Sequence, residues 1–203
     1  MFRPQIQKTK VLIFIAIFNL TLVFIASNSY EYIAKEGLDI KVKATKIMSN
    51  CIEKIKEINP PNDDDIYKTG LLGVENSLIT TVLDDDKRNI KNSKLACAHP
   101  NFAALIVEMF QEIQLEENDY IAVSMTGSLP GANIAVLSAA QSMNLKPVII
   151  SSLGSSSWGA NKEDFSWLKI EEILNENNLI SFSSVASSIG GGNDLGDNLS
   201  DKG

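Results

Sequence analysis

Residues Tyr120–Ile150, YIAVSMTGSLPGANIAVLSAAQSMNLKPVII, carry the reading that decides the fold. Tyr120-Ile121-Ala122-Val123-Ser124 is an apolar run of strand length, and Val148-Ile149-Ile150 is a second. Between them, Thr126-Gly127-Ser128-Leu129-Pro130-Gly131 makes a turn. From Ala132 to Met143 the spacing is helical and rich in alanine, which lets a helix lie close to a sheet. Asn144-Leu145-Lys146-Pro147 then turns the chain into the second strand. Strand, helix and strand in so short a span form a βαβ unit, with parallel strands and a right-handed crossover.

The pattern extends outward in both directions. Upstream, Pro100 opens a helix whose Phe102, Leu105, Ile106, Met109, Phe110 and Ile113 form an apolar stripe, with Glu108, Glu112, Glu116 and Glu117 off it. Downstream, the loop Ser151 to Asn161 leads to a helix near Asp164 to Leu174, then a weaker strand near Leu179 to Ser184. Such alternation predicts an α/β fold, a Rossmann-like parallel sheet with helices on both faces. Nearer the N-terminus, Ala44, Ile47, Met48, Cys51, Ile52, Ile55 and Ile58 share one helix face, and Asn59-Pro60-Pro61 ends that helix. This helix is expected to serve as a stalk or as a first packed layer. Ile66 to Thr81 ends in a β-prone string, and a polar linker with Lys87, Arg88, Lys91 and Lys94 follows. The triplets Asp63-Asp64-Asp65 and Asp84-Asp85-Asp86 lack the spacing of an EF-hand and read as solvated loops.

A different segment opens the chain. Val11 to Ala26, VLIFIAIFNLTLVFIA, is broken only by Asn19 and Thr21, and with Ser27 to Tyr30 it reaches membrane-spanning length. Arg3, Lys8 and Lys10 precede it. Ser27-Asn28-Ser29 is a poor cleavage site, so an uncleaved signal anchor is favoured over a removed signal peptide. Lys35, Lys41, Lys43 and Lys46 on the far side leave the positive-inside rule with a slight lean towards an extracytoplasmic domain on a single-pass cell-membrane anchor. The resulting division is a cytoplasmic tip and anchor over 1–30, a helical stalk over 31–61, an α/β domain over 62–190 and a Gly/Asp-rich flexible tail over 191–203.

The formal net charge of −7 is an average of two parts. Residues 1–30 hold three basic residues and no acid; the remainder holds 15 basic and 25 acidic residues, which is −10. A nucleic-acid binder needs a basic stripe, so that class is excluded. Cys51 and Cys97 are the two cysteines; they can pair in an oxidising compartment or sit as small apolar residues. His99 is the one histidine, with no partner at ligand spacing, so no metal site is expected.

In parallel α/β sheets, ligands bind beyond the carboxyl ends of the strands. Here these ends carry Thr126-Gly127-Ser128, then Ser151-Ser152-Leu153-Gly154-Ser155-Ser156-Ser157-Trp158-Gly159, then Ser187-Ser188-Ile189-Gly190-Gly191-Gly192-Asn193-Asp194. Small residues let backbone N–H groups converge on a phosphate or carboxylate, and Trp158 offers a wall. The same residues serve equally as caps and turn formers. The candidate ligand-binding set is Glu75, Thr126, Gly127, Ser128, Asn133, Ser151, Ser152, Ser155, Ser156, Trp158 and Asn161. No dinucleotide, P-loop or nucleophile-elbow fingerprint is present, so neither a cofactor nor a catalytic residue is assigned.

Several strings are similar to one family in the expected order: Thr69-Gly70-Leu71-Leu72-Gly73-Val74-Glu75, Pro100 to Val107, Thr126 to Pro130 with Asn133 to Leu137, Pro147 to Ser152, Ser156 to Asn161, and Ser188 to Gly192. Together they resemble the poly-gamma-glutamate system protein family over residues 44–195. The resemblance implies a membrane-anchored accessory to synthesis or export of an anionic capsule polymer, with the polymer or the synthase and export subunits as partners. It implies no established reaction. Members continue beyond the Gly-rich string, so it also implies a C-terminally shortened version. Two functions follow: a non-enzymatic binding component, or a hydrolase or transferase acting on glutamyl or other anionic substrates at the Ser/Gly loops. A small-ligand sensor is a third.

Overall fold

An apolar helix and a compact α/β unit make up the computed structural model, which describes residues 9–30, 34, 37–82 and 87–199. Arg3, Lys8, Lys35 and the second aspartate triplet, Asp84–Asp86, lie outside the described residues. Helix α1 spans Thr9–Asn28 and buries none of its side chains. Its 20 residues rise about 30 Å, the thickness of a bilayer core, and its mean hydropathy of 2.3 suits that medium. Within it, Thr21 Oγ1 donates back to the Ile17 carbonyl at 2.7 Å, so the polar interruption is satisfied inside the helix.

Residues Gly37–Gly203 cluster as the second unit. Its helices are α2 (Leu38–Ile58), α3 (Lys87–Ala98), α4 (Asn101–Glu112), α5 (Pro130–Ser142) and α6 (Trp167–Glu176). Its strands are β1 (Thr80–Val82), β2 (Tyr120–Thr126), β3 (Lys146–Ser152), β4 (Ser155–Ser156), β5 (Asn161–Lys162), β6 (Phe165–Ser166) and β7 (Ala186–Ser188). The expected βαβ unit is β2–α5–β3, with β2 and β3 parallel from Tyr120↔Lys146 to Thr126↔Ser152. On the other side of β3 runs β7, also parallel, so the sheet order is β2-β3-β7. A parallel β1–β4 pair and an antiparallel β5–β6 pair complete the strands among the described residues.

Helix α5 sits at the centre. It starts with Pro130 at its first turn, where the missing N–H costs nothing, and carries buried Ile134, Ala135, Leu137, Ala139 and Ala140 on several sides. Alanine at these positions lets α2, α3 and α4 approach it while its remaining side packs on β2 and β3. Gly131 meets α3 so closely that an added Cβ would lie 2.7 Å from the Cys97 carbonyl oxygen. The apolar row Ala44, Met48, Cys51, Ile52 and Ile55 of α2 is buried in this same core. Of the two roles expected for that helix, it fills the packed layer: from Gly37 on it belongs to the compact unit. The thiols stay apart, Cys51 buried in α2 and Cys97 half-buried in α3, both free.

Three expectations need correction. Helices α5 and α6 both cover the sheet face made by Met125, Ile149 and Ser151, where the Trp167 indole donates to Ser151 Oγ at 3.1 Å. The opposite face, with Val148 at 45% and Ile150 at 52% exposure, has no helix on it among the described residues, so helices do not cover both faces. The last strand begins at Ala186 rather than near Leu179, because Ile180 and Gln141 divert the segment: Ile180 is buried beside Leu174, and Ser181 N donates to Gln141 Oε1 at 2.9 Å. Asp65 is not a solvated loop residue either. It is fully buried, accepting from Thr69 N at 2.8 Å and Gly70 N at 2.6 Å, while its neighbours Asp63 and Asp64 are exposed. Over the described part of the tail, Gly196 N returns to the Gly190 carbonyl at 2.8 Å and closes a tight turn.

The two faces of β3 are separable by adjacent substitutions. Ile149→Ala, which empties a fully buried site, is expected to cost about 2–5 kcal/mol in urea unfolding. Ile150→Ala, on the bare face, is expected to change stability by no more than about 0.5 kcal/mol.

Candidate functional site

The carboxyl ends of the sheet strands lie at one edge, and the register sets Thr126, Ser152 and Ser188 in one row. Beyond this row the chain packs backbone against backbone. Gly127 lies so near Ser155 that a Cβ there would stand 2.8 Å from the Ser155 side chain, and Gly159 approaches Gly127 and Ser155 equally closely. The Ala160 N–H donates to the Gly127 carbonyl at 2.7 Å. These glycines permit close approach, so the loop after β2 and the loop after β4 form one body.

Hydrogen bonding sorts the residues expected at the site. Asn161 is fully buried and clamps the 71–82 segment: its Oδ1 accepts from Val74 N at 2.9 Å, and its Nδ2 donates to the Val74 carbonyl at 2.7 Å and to Thr80 Oγ1 at 2.9 Å. Asn133 donates to the Thr126 carbonyl at 2.8 Å, holding the start of α5 to the end of β2. Ser151 points into the core, bonded to Trp167 and, at 2.7 Å, to Ser184 Oγ. Ser155 is buried and donates to the Ser156 carbonyl. Thr126 Oγ1 accepts from Ser128 N at 3.1 Å, an internal turn bond. Glu75 is exposed on the segment that Asn161 clamps. Ser152 lines a shallow cavity of about 290 Å³ with Ser124, Ile150, Ser187, Ser188 and Asp194, on the bare face of the sheet.

What remains is a cluster around Ser128 and Ser156, centred on a lysine whose basic, polar sequence surroundings predict a linker but which lies in α3. Lys94 of α3 is 5% exposed. Its ammonium donates to the Ser128 carbonyl oxygen and, at 2.8 Å, to Ser156 Oγ. Ser156 N in turn donates to Ser128 Oγ at 3.1 Å. Among the described residues no carboxylate pairs with Lys94, so a positive charge is buried with neutral partners only. Burial disfavours the charged form and brings the Lys94 pKa down to about 8, against a smaller upward pull from Cys97. Lys94 was findable: Ile90, Lys94 and Ala98 fall at helical spacing of four, which sets this lysine on the apolar row of α3.

Trp158 borders the cluster in a left-handed conformation, with φ of 64°. Its N–H donates to the Val74 carbonyl at 2.8 Å, while Lys91 Nζ lies 4.0 Å above its ring and pairs with Asp64 at 2.7 Å. Lys91 is thus already compensated, unlike Lys94. The Trp158 indole Nε1 is shielded from solvent and has no acceptor among the described residues. The cluster therefore holds one ammonium without a charged partner, Lys94, and the Trp158 indole, close to Ser156 in sequence, also lacks an acceptor among the described residues. The chain matches no protein-family model, no curated protein and no solved structure.

Two substitutions test this sorting. Asn161→Ala leaves buried Val74 and Thr80 groups unpaired and is expected to cost about 2–4 kcal/mol in chemical denaturation, whereas Ser152→Ala is expected to cost under about 0.5 kcal/mol. Lys94 carries a pH signature. Its folded pKa of about 8 lies below the ordinary lysine value of 10.5, so the unfolded chain binds more protons between those values, and stability from this group rises with pH across that window. Lys94→Met is expected to gain stability over the unsubstituted chain at pH 7 and to lose that relative gain by pH 10.5, read from denaturation midpoints at both pH values.

Proposed function

We propose that this chain is a membrane-anchored component of a poly-gamma-glutamate system that binds a carboxylate-bearing ligand at the Lys94–Ser128–Ser156 cluster. The observation that carries the binding part is the Lys94 ammonium, buried without a counter-charge. A buried cation is costly unless paired, and a ligand carboxylate is the partner that would relieve it. The polymer assignment draws on the resemblance of the Thr69–Glu75, Thr126–Pro130 and Ser156–Asn161 strings. The anchor draws on the length and hydropathy of α1, and the extracytoplasmic placement on its flanking charges. We further read β2–α5–β3, with its ligand at the strand ends, as a Rossmann-like half-sheet.

The charge balance limits how such a ligand is held. Residues 31–203, at −10, repel a polyanion at long range. Capture must then be local, within hydrogen-bonding reach of Lys94 and its neighbours, and should depend weakly on salt because buried charges are little screened. The alternative, a hydrolase or transferase at the same loops, is favoured by one observation, the 2.8 Å contact between Lys94 and Ser156.

Binding of short γ-glutamate oligomers to the full chain in lipid nanodiscs tests the first reading. The expected result is saturable binding that Lys94→Met weakens at least about tenfold, equivalent to about 1.4 kcal/mol. Absence of binding, or binding indifferent to Lys94→Met, overturns it.

A further inference from the structure

We propose that Ser156 is an acyl-transfer nucleophile and Lys94 its general base, so that the strand-end cluster cleaves or transfers amide or ester bonds of carboxylate-bearing substrates. This rests on reading the cluster as the ligand site, and it adds chemistry to binding.

The geometry of the cluster supports it. The hydroxyl and the amine are already 2.8 Å apart, the distance proton transfer requires. Ser156 is half-buried, whereas its neighbour Ser155 is fully buried. Its backbone is fixed at both ends: the N–H donates to Ser128 Oγ, and the carbonyl accepts from Ser155 Oγ at 3.1 Å and Gly159 N at 3.1 Å. A nucleophile held in this way loses little freedom on approaching a substrate. Lys94 is held too, since the Ser128 carbonyl accepts from its ammonium and fixes the side chain as it gains a proton. With a pKa near 8, burial leaves a usable fraction of neutral amine at physiological pH, which an exposed lysine lacks.

The step balances without any further reagent than water. Neutral Lys94 Nζ takes the Ser156 proton as Oγ bonds to the substrate carbonyl carbon, and the carbonyl π pair moves onto oxygen. Collapse of that adduct breaks the carbon–nitrogen or carbon–oxygen bond. The Lys94 ammonium returns its proton to the leaving amine or alcohol, which leaves an acyl ester on Ser156. Water then gives a proton to Lys94 and its hydroxyl to the acyl carbon; Ser156 Oγ departs and is reprotonated by Lys94. The products are a carboxylic acid and the amine or alcohol. An amine in place of water makes the same cycle a transfer.

The test uses the full chain in nanodiscs with p-nitrophenyl acetate as the acyl donor, peptide mapping to locate the acetyl group, and γ-glutamate oligomer binding in parallel. The expected result is one acetyl group on Ser156, formed at a rate that rises with pH through about 8. Ser156→Ala should abolish it. Lys94→Arg keeps a cation that does not deprotonate, so it should lower acylation at least about a hundredfold. Acetyl groups on Lys94 or elsewhere, or an acylation rate unchanged in Lys94→Arg, overturn the proposal. If Lys94→Arg fails to fold, Ser156→Ala decides alone: acylation that survives it overturns the proposal. Oligomer binding without acylation overturns the chemistry and leaves the binding component standing. Acylation of Ser156 without oligomer binding sustains the chemistry and removes the polymer as ligand.

Discussion

Everything in the α/β unit is arranged around one constraint: α5 is buried on nearly all sides, so its surface has to be small. Ala135, Ala139, Ala140 and Gly131 give α2, α3 and α4 the clearance to approach while β2 and β3 take the remaining side. Close packing leaves no slack at such a centre, because each added methylene displaces several neighbours at once. The consequence reaches the candidate site directly. Gly131 brings α3 against the first turn of α5, and α3 thereby carries Lys94 to the loop that precedes that turn. The lysine reaches Ser128 and Ser156 because the helices beneath it are close.

The elements that were readable in the sequence are those whose periodicity answers to one partner. β2 and β3 stood out as apolar runs, α4 as a stripe, and α5 as alanines after Pro130, all within a few residues of their observed limits. What escaped was set by contacts between distant segments. Leu179 to Ser184 is β-prone, yet Gln141 and the Leu174 region draw it away from the sheet, and pairing with β3 starts only at Ala186. Asp65 lies in an acidic triplet that composition assigns to solvent, but two backbone N–H groups four and five residues on turn it inward. Lys94 escaped for the same reason. Its run of basic residues reads as a solvated linker until the helical spacing with Ile90 and Ala98 is given more weight than the charge.

The site residues divide along a similar line. Asn133, Ser151, Ser155 and Asn161 were legible as polar groups near strand ends, and they are near those ends, but each is bonded to the backbone or core that positions the loops. Small polar residues there serve as clamps because tight turns leave backbone groups that need partners. Only where a residue from another helix enters does the cluster acquire a group whose bonding is incomplete. That distinction depends on tertiary contact and has no local signature.

The burial of Lys94 also reconciles two demands that usually conflict. A polyanion approaching a domain of charge −10 needs a cation it can reach at short range, while a nucleophile needs a base that is not already protonated. A surface lysine meets the first demand and fails the second, since its pKa lies far above neutrality. In the proposed reading, Lys94 would satisfy both in turn. Desolvation holds its pKa near 8, so protonated and neutral forms coexist close to physiological pH. A carboxylate entering beside it favours the protonated form, and a carbonyl presented to Ser156 uses the neutral one. Which form governs is then set by the group the ligand presents, a property conferred by the depth at which α3 sits against α5.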